Sequence, residues 1–196
     1  MKQLVKTHLL VCTALFVLAT TTFGADAPFA VGSMTLSGNV YYMSQTGELY
    51  ENSDSDGLST VTITPRFGYF IAPGLMLGAT VDFIKVSVGD YAESILALGP
   101  QVGYYFGTNR DRTVISGAVY PYFTWFATIG SINYEYLSDN FTAKSVGLTG
   151  GVVVMMSNSV GLDIGLRYSS DSWRYNAADA SGTTIQVGAG IASFIF

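Results

Sequence analysis

Four charged side chains stand where any chemistry inside this protein would have to take place. Arg66, Asp82, Asp163 and Arg167, two of each sign, alternate with apolar neighbours. A guanidinium and a carboxylate in such a setting can hold an ion, polarise a bound group, or neutralise each other. Catalysis would also need a base or a nucleophile. The chain of 196 residues has one histidine, His8, and one cysteine, Cys12, and both lie in a leader. MKQLVKTH carries Lys2 and Lys6, LLVCTALFVLA is a short uncharged apolar run, and small residues follow. Residues 1–24 are therefore a secretory signal peptide with cleavage after Gly24 or Ala25, too short in its apolar part to span a bilayer. Residues 25–196 then hold no imidazole base, thiolate nucleophile, disulfide or Cys/His metal site. No catalytic, cofactor-binding or metal residue is expected.

Without Lys2 and Lys6, 7 basic residues face 14 acidic ones. Such a balance carries no nucleic-acid footprint. With 49% hydrophobic and 12% charged residues, the chain is not disordered. No linker rich in Pro, Ser or charge divides residues 25–196, which form one domain.

The elements that must position the four charges have period two. In VTITPRFGY, Val61, Ile63, Pro65, Phe67 and Tyr69 share one face, and Thr62, Thr64, Arg66 and Gly68 the other. In VGLDIGLRYS, Val160, Leu162, Ile164, Leu166 and Tyr168 oppose Gly161, Asp163, Gly165, Arg167 and Ser169. Each is a strand with one apolar and one small or polar face. Eight such segments are predicted: Ser33 to Gln45, Leu58 to Phe70, Leu75 to Val88, Ser94 to Phe106, Thr113 to Thr128, Thr142 to Met156, Val160 to Ser169, and Thr183 to Phe196. Tight connections (IAPG, GTNRDR, SNS) alternate with longer ones, as in an antiparallel up-and-down meander with both termini on one side. PRFGYFI at Pro65 and PQVGYYF at Pro100 repeat one hairpin end. Pro65, Pro100 and Pro121 fall inside strands, where each removes a ladder hydrogen bond and is expected to mark a bulge.

Periodicity labels two faces without saying which is inside. A soluble calyx puts its apolar side chains inward, whereas a membrane barrel puts them outward. Three features favour the membrane. Aromatics cluster near strand ends (Tyr41 and Tyr42, Phe67 and Tyr69, Tyr104 to Phe106, Trp125 and Phe126), as interfacial girdles do. Most segments exceed the 9 to 11 residues that a tilted strand needs to cross a bilayer. The faces opposite the apolar ones are small enough for a narrow bore. The last strand alone keeps two phases open, with Ile191 and Ile195 on one face and Phe194 and Phe196 on the other.

The leader, the eight segments, the turns GYFIAPGL and GYYFGT, and the closing ASFIF together resemble the small OmpA/OmpX-type outer-membrane barrels of Gram-negative bacteria. The resemblance implies an all-β, eight-stranded antiparallel up-and-down transmembrane β-barrel in the outer membrane, with both termini periplasmic. It implies contact with outer-membrane lipid and lipopolysaccharide. It further implies that Phe194 and Phe196 serve as a signal to the barrel-assembly machinery. Unlike the two-domain members of that superfamily, this chain is expected to have nothing after the last strand that binds peptidoglycan. The known acyltransferase, deacylase and phospholipase barrels of the outer membrane resemble one another in using a histidine beside a serine, and residues 25–196 have no histidine.

In such a barrel Arg66, Asp82, Asp163 and Arg167 point inward and form a paired network, since an isolated charge in a narrow bore is costly. Across the turn at Ile71 to Gly74, Arg66 is expected diagonal to Asp82 and within its reach. The longer connections are acidic, with Glu48, Glu51, Asp54, Asp56, Asp90, Glu93, Glu135, Asp139, Asp171 and Asp179. With Tyr50, Tyr134, Tyr136 and Trp173 they offer a surface for a partner or for cation-bridged phosphate. Asp54, Asp56 and Gly57 lack the closing Glu of a calcium loop. The expected role is structural or interactive, in the cell envelope. The alternative is a narrow channel for ions or small solutes.

Overall fold

The structure, a computed structural model, describes residues 27–45, 58–88, 91–108, 116–134, 137–175 and 178–196; the expected leader, residues 1–24, lies outside them. Eight strands follow one another along the chain: β1 (Met34–Gln45), β2 (Leu58–Ala72), β3 (Leu75–Val88), β4 (Tyr91–Tyr105), β5 (Val119–Tyr134), β6 (Leu137–Met155), β7 (Val160–Tyr175) and β8 (Ala178–Ile195). Each pairs antiparallel with its sequence neighbours, and β1 pairs with β8 from Met34↔Ile195 to Tyr41↔Gly188, so the sheet closes on itself. Closure removes the unpaired edges that a bilayer would not tolerate.

The termini share one end of the barrel, here the lower end, with the β2–β3, β4–β5 and β6–β7 connections. The β2–β3 turn shows why these are tight. Gly74 adopts φ 74, a left-handed conformation that side chains resist. A Cβ there would also stand 2.5 Å from the Tyr105 carbonyl oxygen.

The upper hairpins are longer than the sequence implied. β5 runs to Tyr134 and β6 starts at Leu137, and β7 runs to Tyr175 with β8 starting at Ala178. Much of GSINYEYLSDN and SDSWRYNAADASG, expected as loops, is therefore paired strand. Their polar residues resemble loops because these stretches need no apolar face. β5 begins at Val119, not Thr113, after a turn in which Gly117 has φ 88.

The prolines do not make bulges. β2 and β3 keep one register from Ile63↔Phe83 to Arg66↔Thr80 while Thr64 and Pro65 go unpaired on that side, and β4 does the same toward β5 at Gly99 and Pro100. Pro121 pairs in register with Val152. The register shifts fall elsewhere, at Phe70/Ala72 and at Ile132/Tyr134.

Which face meets which medium follows from exposure. Leu36, Ile63, Leu98, Ile129, Leu148 and Leu166 stand on the outside, and Val187 there is 69% exposed. The inward face buries Thr35, Asn39, Thr62, Thr64, Arg66, Thr80, Asp82, Gln101, Thr124, Asp163 and Arg167. Apolar outside and polar inside is the arrangement of a membrane barrel, the reverse of a soluble calyx. Strand β8 takes the phase that turns Ile185, Val187, Ile191 and Ile195 outward, while Phe194 is 3% exposed and points inward. The expected girdles split by the same rule of two. Tyr42, Tyr69, Phe106 and Trp125 face out, and Tyr41, Tyr105 and Phe126 fill the bore. Tyr104, Phe106 and Phe123 form an outer aromatic group at the lower rim, with centroids 5.0 to 6.5 Å apart.

Candidate functional site in the bore

The lower end of the bore is filled by rings. Phe29, from the segment before β1, lies at their centre, with centroids 4.5 Å from Tyr120, 4.7 Å from Phe194, 5.2 Å from Tyr105 and 5.8 Å from Phe70. Backbone bonds hold it there: Gly74 N–H donates to the Phe29 carbonyl at 3.0 Å, and Gly32 N–H to that of Phe70 at 2.9 Å. The repeated hairpin ends have equivalent places in this plug. Five residues after Pro65 and Pro100 come Phe70 and Tyr105, whose rings meet at 5.5 Å. Gly68 and Gly103, also equivalent in the repeat, both lie beside the Met76 side chain.

Above the plug, the first polar rung is Asp163 of β7. Arg66 Nη2 reaches it from β2 and also donates to Asn39 Oδ1 at 2.7 Å, while the Tyr122 hydroxyl donates to Asp163 Oδ1 at 2.7 Å. Tyr122 reaches that carboxylate because Gly151 and Gly165 are paired beside it. A Cβ on either would come within 2.9 Å of its hydroxyl oxygen. The second rung is a two-toothed pair: Arg167 Nη1 donates to Asp82 Oδ1 at 2.8 Å and Nη2 to Oδ2 at 2.6 Å. The Arg167 guanidinium also lies 4.0 Å from the Phe126 ring centroid, in cation–π contact.

All four charged residues expected in the bore are thus inside it and paired, but Arg66 does not take Asp82. The diagonal relation of the two on β2 and β3 is present, with Arg66 opposite Thr80. Both arginines nevertheless find their carboxylates elsewhere, Arg66 on β7 and Arg167 on β3. In a barrel of eight strands the facing wall is within reach of a guanidinium, so pairing runs through the bore and not only along the sheet.

Above the second rung the bore is hollow, with a cavity of about 240 Å³. Asp171 belongs here and not to an upper loop. Ser145 Oγ donates to its Oδ1 at 2.6 Å, and Thr184 Oγ1 and Ser169 Oγ to its Oδ2 at 2.7 and 3.2 Å. The other acidic positions expected on the surface, with Tyr50, Tyr134, Tyr136 and Trp173, lie outside the described residues or have side chains outside them. Among the described residues no group of ligating side chains is arranged for a metal.

Sequence reasoning placed Asp171 in a loop and missed Tyr122, Asn39 and Phe29. For the first three the signal was available, since each shares the inward parity of its strand. Phe29 precedes the first alternating segment and carries no such mark.

No family model matches the chain, and no curated protein matches it in sequence. Among solved structures, Neisserial surface protein A (NspA) matches with a TM-score of 0.55 at 16% identity, over 82% of this chain and 96% of that one. The N-terminal β-barrel domain of Pseudomonas aeruginosa OprF matches with a TM-score of 0.48 at 12% identity, over 84% of this chain and 98% of that one. The outer membrane protein OprG of the same organism also gives 0.48, at 13% identity, over 87% and 98%. The likeness to NspA is one of fold. Together with the apolar outer wall and the eight-strand closure, it identifies the chain as an eight-stranded transmembrane β-barrel that shares the fold of NspA.

Proposed function

We propose that this protein is a non-enzymatic outer-membrane barrel with a structural or surface-interaction role in the cell envelope, with both termini on the periplasmic side. The observation that carries the reading is the filling of the bore. An aromatic plug and two ion-paired rungs lie in series across it, which suits a rigid pillar in the membrane better than a conduit. The charges of the two rungs pair with one another, and residues 25–196 contain no histidine to act as a base. On this reading the outer wall binds outer-membrane lipid, the upper rim meets lipopolysaccharide or a surface partner, and Phe194 and Phe196 address the barrel-assembly machinery. Planar-bilayer recording of the purified barrel tests it. Silence at moderate voltage is expected, and a reproducible unitary conductance would establish the narrow-channel alternative instead.

A further inference from the structure

The upper cavity differs from the ion-paired rungs beneath it. At the level of the rungs the inward positions carry Arg, Asp, Asn and Thr side chains beside Tyr122 and Phe126, and above the Arg167–Asp82 rung Ile84, Val86 and Ile95 turn inward from β3 and β4. Ile84 and Ile95 oppose each other in register and pack with Ala143. The facing side of the cavity is polar, with Asp171 on β7 and Thr184 and Gln186 on β8. One half therefore offers apolar surface and the other a carboxylate.

Among the described residues, Asp171 is held by hydroxyls and meets no cation. Three hydroxyls donate to it, fixing its orientation while leaving part of its acceptor capacity and its whole charge. The described ion pairs are Arg66–Asp163 and Arg167–Asp82, and no cation among the described residues lies within pairing distance of Asp171. Lys144, on the rim of the same cavity, is exposed and makes no such pair. Arg167 already spends both terminal nitrogens on Asp82, so the floor of the cavity has no free positive charge for an anion.

We propose that the upper bore is a binding site for a small organic amine, its ammonium on Asp171 and its apolar body against Ile84, Val86 and Ile95. A volume of about 240 Å³ lies just under the usual range for ligand pockets and suits a single ring or a short branched chain. A charge-assisted hydrogen bond to the ammonium should give roughly tenfold preference over a neutral isostere.

Titration of the full-length barrel in micelles with benzylamine and with benzyl alcohol, followed by NMR, tests this. Benzylamine is expected to bind about tenfold more tightly than the alcohol and to lose that margin in Asp171→Asn. Ile95→Ser is expected to weaken both probes together. Equal affinity for the two probes overturns the proposal, as does no saturable binding of the amine, or an amine affinity unchanged in Asp171→Asn. The probe comparison uses the native sequence, so it decides the matter even if the variant fails to fold.

Discussion

Arg167 and Asp82 face each other from strands on opposite sides of the barrel, β7 and β3, and join through two parallel hydrogen bonds of 2.8 and 2.6 Å. The pair ties together walls that the ladder connects only through the strands between them. Both side chains are almost fully buried, at 6% and 1% exposed, so loss of one partner strands the other. Asp82→Asn or Arg167→Met is expected to destabilise the folded barrel by about 3–5 kcal/mol. Replacing both with apolar residues should cost clearly less than the two single changes together. Urea unfolding in micelles, read by tryptophan fluorescence, measures all three. Additive losses would mean that the residues do not act as a pair.

Tyr122 is the contact between the plug and the first rung, since its ring stacks on Tyr105 at 5.3 Å while its hydroxyl holds Asp163. Tyr122→Phe keeps the ring and should lose about 1.5–3 kcal/mol, the range for a hydrogen bond to a charged group. Gly165→Ala should act on the same bond by crowding the hydroxyl. In the double variant the glycine change is then expected to cost less than it does alone. Full additivity in that cycle would separate the two effects.

How much of this was legible beforehand divides along physical lines. Alternation in β2 and β7 put Arg66, Asp163 and Arg167 on one face, because period two is a local property of a strand. Partner choice was not legible. A sequence shows that Arg66 and Asp82 approach each other around a turn, but not that the far wall is as close. The inward turn of Phe194 was hidden for a related reason: with apolar residues on both faces of β8, alternation gives no contrast, and only pairing with β1 fixes the phase. Asp171 resembled a loop acid because the strand continues past the apolar band, where nothing in the pattern demands a greasy side chain.

Phe29 fills the centre of a ring cluster that no strand could fill alone. Phe29→Ala should remove about 3–5 kcal/mol by opening a cavity among four rings, lowering the temperature at which the barrel unfolds in micelles. The two ion-paired rungs remain above it, so the variant is still expected to be silent in planar bilayers. Conductance in Phe29→Ala alone would show that the rungs do not close the bore.

The outer wall can be tested independently of the bore. Leu166 is 52% exposed on the same strand that turns Arg167 inward. Leu166→Arg is expected to cost about 2–4 kcal/mol near the bilayer midplane, measured as folding into vesicles against urea. A soluble barrel would accept an arginine at an exposed position within about 0.5 kcal/mol, so a neutral result would contradict the membrane placement of this face.

Phe194 and Phe196 share a parity but not an environment. Phe194 is inside the plug, where its backbone N–H also donates to the Ser159 carbonyl at 2.7 Å; Phe196, one residue past β8, is 40% exposed. If these residues are an assembly signal, Phe196 is the half that another protein can touch in the finished barrel. Deleting Phe196, or placing a charged residue after it, should lower the amount of barrel inserted in cells while leaving the folded band of refolded protein at its normal stability. Phe194→Ala should do the opposite in part, weakening the refolded barrel through its lost contact with Phe29. Pulse-chase analysis of outer-membrane fractions beside in vitro refolding separates the two. Equal insertion of the Phe196 deletion and the native chain would remove Phe196 from the signal.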